Sequence, residues 1–297
     1  MKTSRRDFIT QSVAVAGVLS SINLPQLTNA QEPLPKQQAP TRMHLGLVTY
    51  NLAKDWDIPT IIKNCEETGF EGVELRTTHA HGVEVTLTKS QRADVKKRFS
   101  DSNVKLVSLG SVFDYHTPDQ QKLRKDIEAT KDYIILAHDV GAQAIKVRPN
   151  ALPKEVPPEK TLEQIGKSLF ELGEFSKNYN IEIRLEVHGE ETSRLINISK
   201  IMNYANHKYV GVCWNSNLTD LQDGGFESNF ELVKNKIRIV HITELYQDAY
   251  GIYPYRKLFD NLKKIGFDGF CLAEIPSSPE PIRLMKYYRA LWLALTS

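Results

Sequence analysis

The chain has 297 residues, 41% of them hydrophobic and 25% charged, with a net charge of +2. That composition supplies apolar mass for one large core and excludes disordered and collagen-like classes. A nearly balanced charge also argues against nucleic acid or an anionic membrane as partner.

Residues 1–30 read as an export signal and not as part of the fold. Ser4-Arg5-Arg6-Asp7-Phe8-Ile9 resembles the twin-arginine motif, an apolar run from Val13 to Leu19 follows, and Thr28-Asn29-Ala30 offers a small-residue cleavage site. The run is too short to stay in a bilayer as an anchor. No cysteine follows it, so no lipid anchor is expected there. The expected location is the periplasm or outside, reached by the twin-arginine route. Removing Lys2, Arg5, Arg6 and Asp7 with the signal leaves 35 basic and 35 acidic side chains. Cys65, Cys213 and Cys271 lack metal-ligand spacing and fall in apolar patterns, so they are expected to be buried free thiols.

Residues 31–43 are rich in Pro and Gln and read as a linker. From His44 the pattern alternates strand and helix eight times. Strands are predicted at Leu45–Asn51, Gly72–Arg76, Lys105–Ser111, Ala144–Pro149, Ile181–His188, Val210–Asn215, Ile237–Thr243 and Phe270–Ile275. Between them, Thr117-Pro118-Asp119-Gln120 predicts a helix start with Thr117 as cap. Leu162, Ile165, Leu169, Leu172 and Phe175 predict one apolar helix face. Gly69-Phe70-Glu71-Gly72 and Gly266-Phe267-Asp268-Gly269 echo one another as helix-to-strand turns that need glycine at positive φ. Eight such units over residues 44–297 predict a single (β/α)8 TIM barrel. A doubly wound open sheet is the alternative.

In a barrel the chemistry gathers at the C-terminal ends of the strands. The fifth strand sets the pattern: Ile181, Ile183, Leu185 and Val187 alternate with Glu182, Arg184, Glu186 and His188. The same period puts Glu74 and Arg76, and likewise Lys146 and Arg148, on single faces. Glu74, Arg76 and Arg184 are read as structural ion pairs. Glu186, His241 and Glu274 are read otherwise. Two carboxylates and an imidazole at late strand positions suit one divalent metal: Mn, Mg, Fe or Zn.

These residues resemble the xylose-isomerase-like barrels, which include sugar isomerases, ketose 3-epimerases and inosose dehydratases. The resemblance covers residues 44–297. It rests on Glu186 in Leu185-Glu186-Val187-His188, on Val210-Gly211-Val212-Cys213-Trp214-Asn215, on Val240-His241-Ile242, and on Glu274 in Ala273-Glu274-Ile275. It implies a metal held by Glu186, Asn215, His241 and Glu274. Asn215 stands where that family usually carries Asp, and its neutral oxygen is expected to weaken the ion's hold. The resemblance further makes Glu186 and Glu274 the acid/base pair. Lys146, Arg148, His188, His79 and His81 are then expected to bind substrate hydroxyls or assist proton transfer.

The expected function is a metal-dependent sugar isomerase or epimerase working through an enediolate on a non-phosphorylated sugar or polyol. Strands five and eight are expected to face each other across the barrel, placing the two carboxylates on opposite sides of one carbon. A keto-sugar lyase or dehydratase on the same site, and a silent carbohydrate-binding barrel, are the alternatives. The partner is a small molecule in a chain that could assemble as a homo-oligomer.

Overall fold

The computed structural model describes residues 43–297. The predicted export signal, and the predicted linker up to residue 42, lie outside the described residues. The first half of the described chain runs β1 (His44–Val48), α1 (Ile58–Thr68), β2 (Gly72–Arg76), α2 (Lys89–Ser100), β3 (Lys105–Gly110), α3 (Gln120–Val140), β4 (Ala144–Val147) and α4 (Pro158–Ser176). The second half runs β5 (Glu182–Glu186), α5 (Leu195–Tyr204), β6 (Val210–Asn215), α6 (Phe226–Val233), β7 (Ile237–Ile242), α7 (Tyr255–Lys264), β8 (Phe270–Ala273) and α8 (Pro281–Thr296). All eight strands are parallel, and β1 pairs with both β2 and β8, so the sheet closes in the order β1 to β8. Closure excludes the open doubly wound sheet. Among the described residues no helix is long and apolar enough to cross a membrane.

Local chemistry explains the helix starts. Asp57 accepts the Thr60 N–H at the head of α1, and Thr88 and Gln91 form a reciprocal cap on α2. The cap of α3 is Asp119 rather than the expected Thr117: its carboxylate accepts from Gln121 and Lys122, while Thr117 Oγ1 accepts the Asp119 N–H. An ionised oxygen is the better acceptor at the positive end of a helix dipole. The two echoed turns take the same shape, with Gly69 at φ 75° and Gly266 at φ 71°.

The core has two parts. The larger lies between sheet and helices and takes the outward faces of the strands, such as Leu47, Val73, Ile183 and Leu185, with Leu162, Ile165, Leu169 and Leu172 of α4. The smaller fills the barrel's middle with Val48, Val107, Cys213, Ile239, Phe270 and Leu272. All three cysteines are free and buried. Below the plug, Arg184 pairs with Glu182 at 2.9 Å and not with Glu74. Above it the interior turns polar.

Most strands stop earlier than the alternation predicts. β1, β4, β5 and β8 end at Val48, Val147, Glu186 and Ala273, and the next residues leave the ladder to form the barrel mouth. Site residues sit where strand becomes loop.

Candidate active site

Four strands bring four predicted side chains together. Glu186 ends β5, Asn215 ends β6, His241 lies late in β7, and Glu274 follows β8. His241 is 1% exposed, and its Nδ1 lies 3.5 Å from Glu186 Oε1 and 3.6 Å from Glu274 Oε2. Neither His241 ring nitrogen makes a hydrogen bond. One ligand atom from each of Glu186, His241 and Glu274 lies within 4.8 Å of the others. A divalent ion about 2.0–2.2 Å from its ligands spaces them about 3.0–3.6 Å apart, so the two measured gaps fit one ion. The imidazole, ringed by carboxylates but without a hydrogen bond of its own, is the donor such an ion would use.

The other oxygen of Glu186 is already engaged. Lys146 Nζ donates to Glu186 Oε2 at 2.7 Å, with both side chains under a tenth exposed. Burial opposes ionisation of Glu186, yet the Lys146 ammonium and the His241 imidazole together outweigh that cost and hold the carboxyl below its usual range. Burial likewise opposes the Lys146 charge, and Glu186 and then Glu74 more than restore it. Asn215 sits differently from the expected fourth ligand. Its Nδ2 donates to Glu186 Oε1 at 3.1 Å, so the amide as placed serves the Glu186 carboxylate and must turn over to offer its oxygen.

Glu74 also departs from expectation. It does not pair with Arg76. It is fully buried, accepts from Ser108 Oγ at 2.6 Å, and puts Oε1 3.5 Å from His241 Nε2. Gly110 makes room for it, since a Cβ there would stand 2.6 Å from Glu74 Oε1. Glu74 therefore backs His241 from beneath, as carboxylates commonly orient metal-binding imidazoles. The inward alternation of β2 was the available signal for it.

Nor do strands five and eight face each other. In the closed order they are three steps apart, with β6 and β7 between them. Glu186 and Glu274 flank His241 because their side chains are long enough to lean to the same imidazole.

Above this cluster is a cavity of about 290 Å³. Lys146, Arg148, Glu186, His188, Asn215 and Glu274 line it, as do Arg76, Tyr50, Asn217 and Thr243, which sequence reasoning did not select as ligand-binding. His79 and His81 are not in its lining. His81 Nε2 donates to the Arg76 carbonyl at 2.7 Å and its Nδ1 accepts the Val83 N–H at 3.1 Å, so it ties down the loop after β2. His79 stacks on Tyr50 at 6.4 Å.

Beneath the β6 loop is a buried network. Trp214 Nε1 donates to Tyr253 Oη at 3.0 Å, and Tyr253 Oη donates to Asp220 Oδ2 at 2.5 Å. The same Asp220 oxygen accepts the Asn217 N–H at 3.1 Å, while Asn217 Nδ2 reaches the Val187 and Asn215 carbonyls. Burial pushes the Asp220 carboxyl up to about 7. A carboxyl whose folded pKa is raised keeps its proton in the folded chain after the unfolded chain has lost it. Stability should therefore fall as pH rises between about 4 and 7. Thermal melts at pH 5 and pH 8 are expected to show this loss, of order 2–4 kcal/mol, in the wild type and its absence in Asp220→Asn. Equal pH dependence in the two proteins would remove Asp220 as the source.

The sequence profile of the xylose isomerase-like TIM barrel matches residues 62–291. The chain belongs to this family. No protein of curated function matches its sequence. Among solved xylose isomerase-like and related barrels, the chain is similar to an L-ribulose 3-epimerase, with a TM-score of 0.72 and 15% identity over 86% of this chain and 95% of the other. It is also similar to the IolI protein with a bound zinc atom, with a TM-score of 0.68 and 18% identity over 86% and 98%. A third is the apo form of the 3-keto-D-glucoside 4-epimerase YcjR from E. coli, with a TM-score of 0.69 and 16% identity over 85% and 99%. At these identities the likeness is one of fold.

Proposed function

We propose that this xylose isomerase-like barrel is a sugar isomerase or epimerase that moves a proton at the carbon beside a carbonyl. The observation that carries the reading is His241, buried without a hydrogen bond and placed 3.5 and 3.6 Å from two carboxylates at the floor of a polar cavity. The names of the similar barrels, two of them epimerases, favour the same class. Glu186, His241 and Glu274 would hold one divalent cation, and the zinc in the IolI structure supports that reading. Bound there, the cation would polarise the substrate carbonyl and lower the cost of an enediolate.

The chain's own residues supply the rest. Glu186 and Glu274 take the proton from carbon and return one to the other face or to the neighbouring carbon. Lys146, already a donor to Glu186, and His188, whose Nδ1 has no partner, would hold substrate oxygens. Glu74 keeps the imidazole aligned.

The test is a panel of ketoses, 3-keto-glycosides and inososes in D₂O, read by NMR. Deuterium at the adjacent carbon without other change supports the isomerase or epimerase. Loss of a substituent one carbon further on moves the assignment to a lyase. No exchange in a metal-loaded sample that binds sugars moves it to a binding protein.

Calorimetry tests the cation separately. The wild type is expected to take up one divalent ion, and Asn215→Asp to bind it at least about tenfold more tightly, because a charged oxygen replaces a neutral one. Without metal, the same substitution should lower the melting temperature, since a third carboxylate then crowds Glu186. If neither protein takes up an ion, Glu186, His241 and Glu274 are not a metal site.

A further inference from the structure

Two half-buried guanidiniums, Arg76 and Arg148, line the upper wall of the cavity with no carboxylate partner among the described residues. Arg76 spends one nitrogen: Nη1 donates to the Thr77 carbonyl at 2.8 Å and to Thr77 Oγ1 at 3.1 Å. Its guanidinium lies over the Tyr50 ring at 5.8 Å, and among the described residues its Nε and Nη2 make no hydrogen bond. Arg148 makes one long contact, Nη2 to the Val112 carbonyl at 3.5 Å, and its buried Nε has no partner. Burial, and then the charge of Arg148, hold the Arg76 guanidinium below its usual range, so the two cations feel each other.

Elsewhere two of the most shielded arginines have counterions, while half-buried Arg289, among the described residues, donates only to the Gly69 carbonyl. Arg92 meets Asp139 at 2.9 Å, and Arg184 meets Glu182 at 2.9 Å. At the cavity wall three cations, Arg76, Lys146 and Arg148, face two carboxylates, Glu186 and Glu274, and Lys146 is taken up by Glu186. Glu74, buried one layer below beside His241, is a third carboxylate nearby but pairs with neither arginine, so a divalent ion would tip the sum positive. Partly desolvated like charges side by side are costly unless an anion joins them. A planar fork with unspent N–H groups is matched to carboxylate or phosphate oxygens. The position is also held: Thr49 Oγ1 accepts the Arg76 N–H at 2.9 Å, and His81 donates to the Arg76 carbonyl.

We propose that Arg76 and Arg148 bind an anionic group, carboxylate or phosphate, carried by the substrate at a distance from its reacting carbon. The proposal rests on the proton-transfer reading for what happens at Glu186 and Glu274, and it deepens that reading by making the substrate an acidic sugar. The expectation of a non-phosphorylated substrate selects the carboxylate, giving a sugar acid.

Three matched probes decide between the sources: D-glucose, D-glucuronate and D-glucose 6-phosphate, which differ only at the sixth carbon. In calorimetry on the full-length protein at low salt, an anionic probe is expected to bind at least about tenfold more tightly than glucose, the gain typical of charge-assisted hydrogen bonds. Preference for glucuronate assigns a carboxylate, and preference for the phosphate assigns a phosphate. Arg76→Gln and Arg148→Gln should each bring the preference to within about threefold of none, and Arg148→Lys should keep part of it, separating lost charge from lost fold. Equal affinities, no binding by any probe, or a preference that survives both Gln substitutions would overturn the proposal. The same samples in D₂O test the chemistry independently. Arginine-dependent anion binding with no exchange next to the carbonyl leaves the anion site standing and counts against the proton-transfer reading. Exchange of glucose with no anion preference does the reverse.

Discussion

Glu186→Gln and Glu274→Gln are each expected to lower deuterium incorporation beside a sugar carbonyl by about 10²–10⁴-fold, the usual contribution of a positioned acid or base. The replacements are nearly isosteric, so the fold should persist. They differ in what else they disturb. Glu274 makes one approach to His241, at 3.6 Å, and its side chain is 20% exposed. Glu186 is more deeply placed and also accepts from Lys146 and Asn215. Glu186→Gln should thus lose stability as well as activity, whereas Glu274→Gln should lose chiefly activity. Metal content measured on both variants separates a lost ligand from a lost base. Exchange within about threefold of wild type in either variant would remove that residue from the chemistry.

Lys146→Met is expected to cost about 3–5 kcal/mol of stability, because removing one member of a buried pair strands the other. For a barrel of this size that lowers the melting temperature by about 6–20 °C. The loss should be partly recovered in two ways. Saturating divalent ion supplies a new positive charge beside Glu186, worth about 3 kcal/mol at a hundredfold excess over its Kd. Combining Lys146→Met with Glu186→Gln removes the stranded charge altogether. A Lys146→Met protein as stable as wild type without metal would mean that Glu186 is neutral in the folded chain, against the direction in which its neighbours push it.

Part of this site is legible in the sequence through the two-residue period of a strand, and Asn215 and the acid/base roles through the family resemblance. Glu186, Asn215 and His241 fall on inward positions near the ends of three strands, and Glu274 just past a fourth. Eight repeats of strand and helix leave few ways to arrange them. What the period does not encode is depth. Glu74 and Arg76 share a face of β2, but two residues separate them by about 6–7 Å along the strand. That interval places one in the buried layer under His241 and the other at the cavity wall, so they do not pair. Register is equally hidden. The ladders shift between Val73 and Glu74 and between Val212 and Cys213, and both shifts fall at the level of the site. The roles of His79 and His81 depend on a loop whose path is set by backbone contacts that no side-chain pattern announces.

The apolar plug of Val48, Val107, Cys213, Ile239, Phe270 and Leu272 closes the barrel below His241 and makes the cavity a cul-de-sac. Hydrogen ions can then reach the two carboxylates from one side only. Glu186, 3% exposed and capped by Lys146, sits at the blind end, while Glu274 stands nearer the opening. On the proposed chemistry the two would be unequal reservoirs: one would refill from bulk water readily, and the other would hand back the same hydrogen it received. A reaction running between them would keep a memory of the substrate's original isotope on one face and lose it on the other.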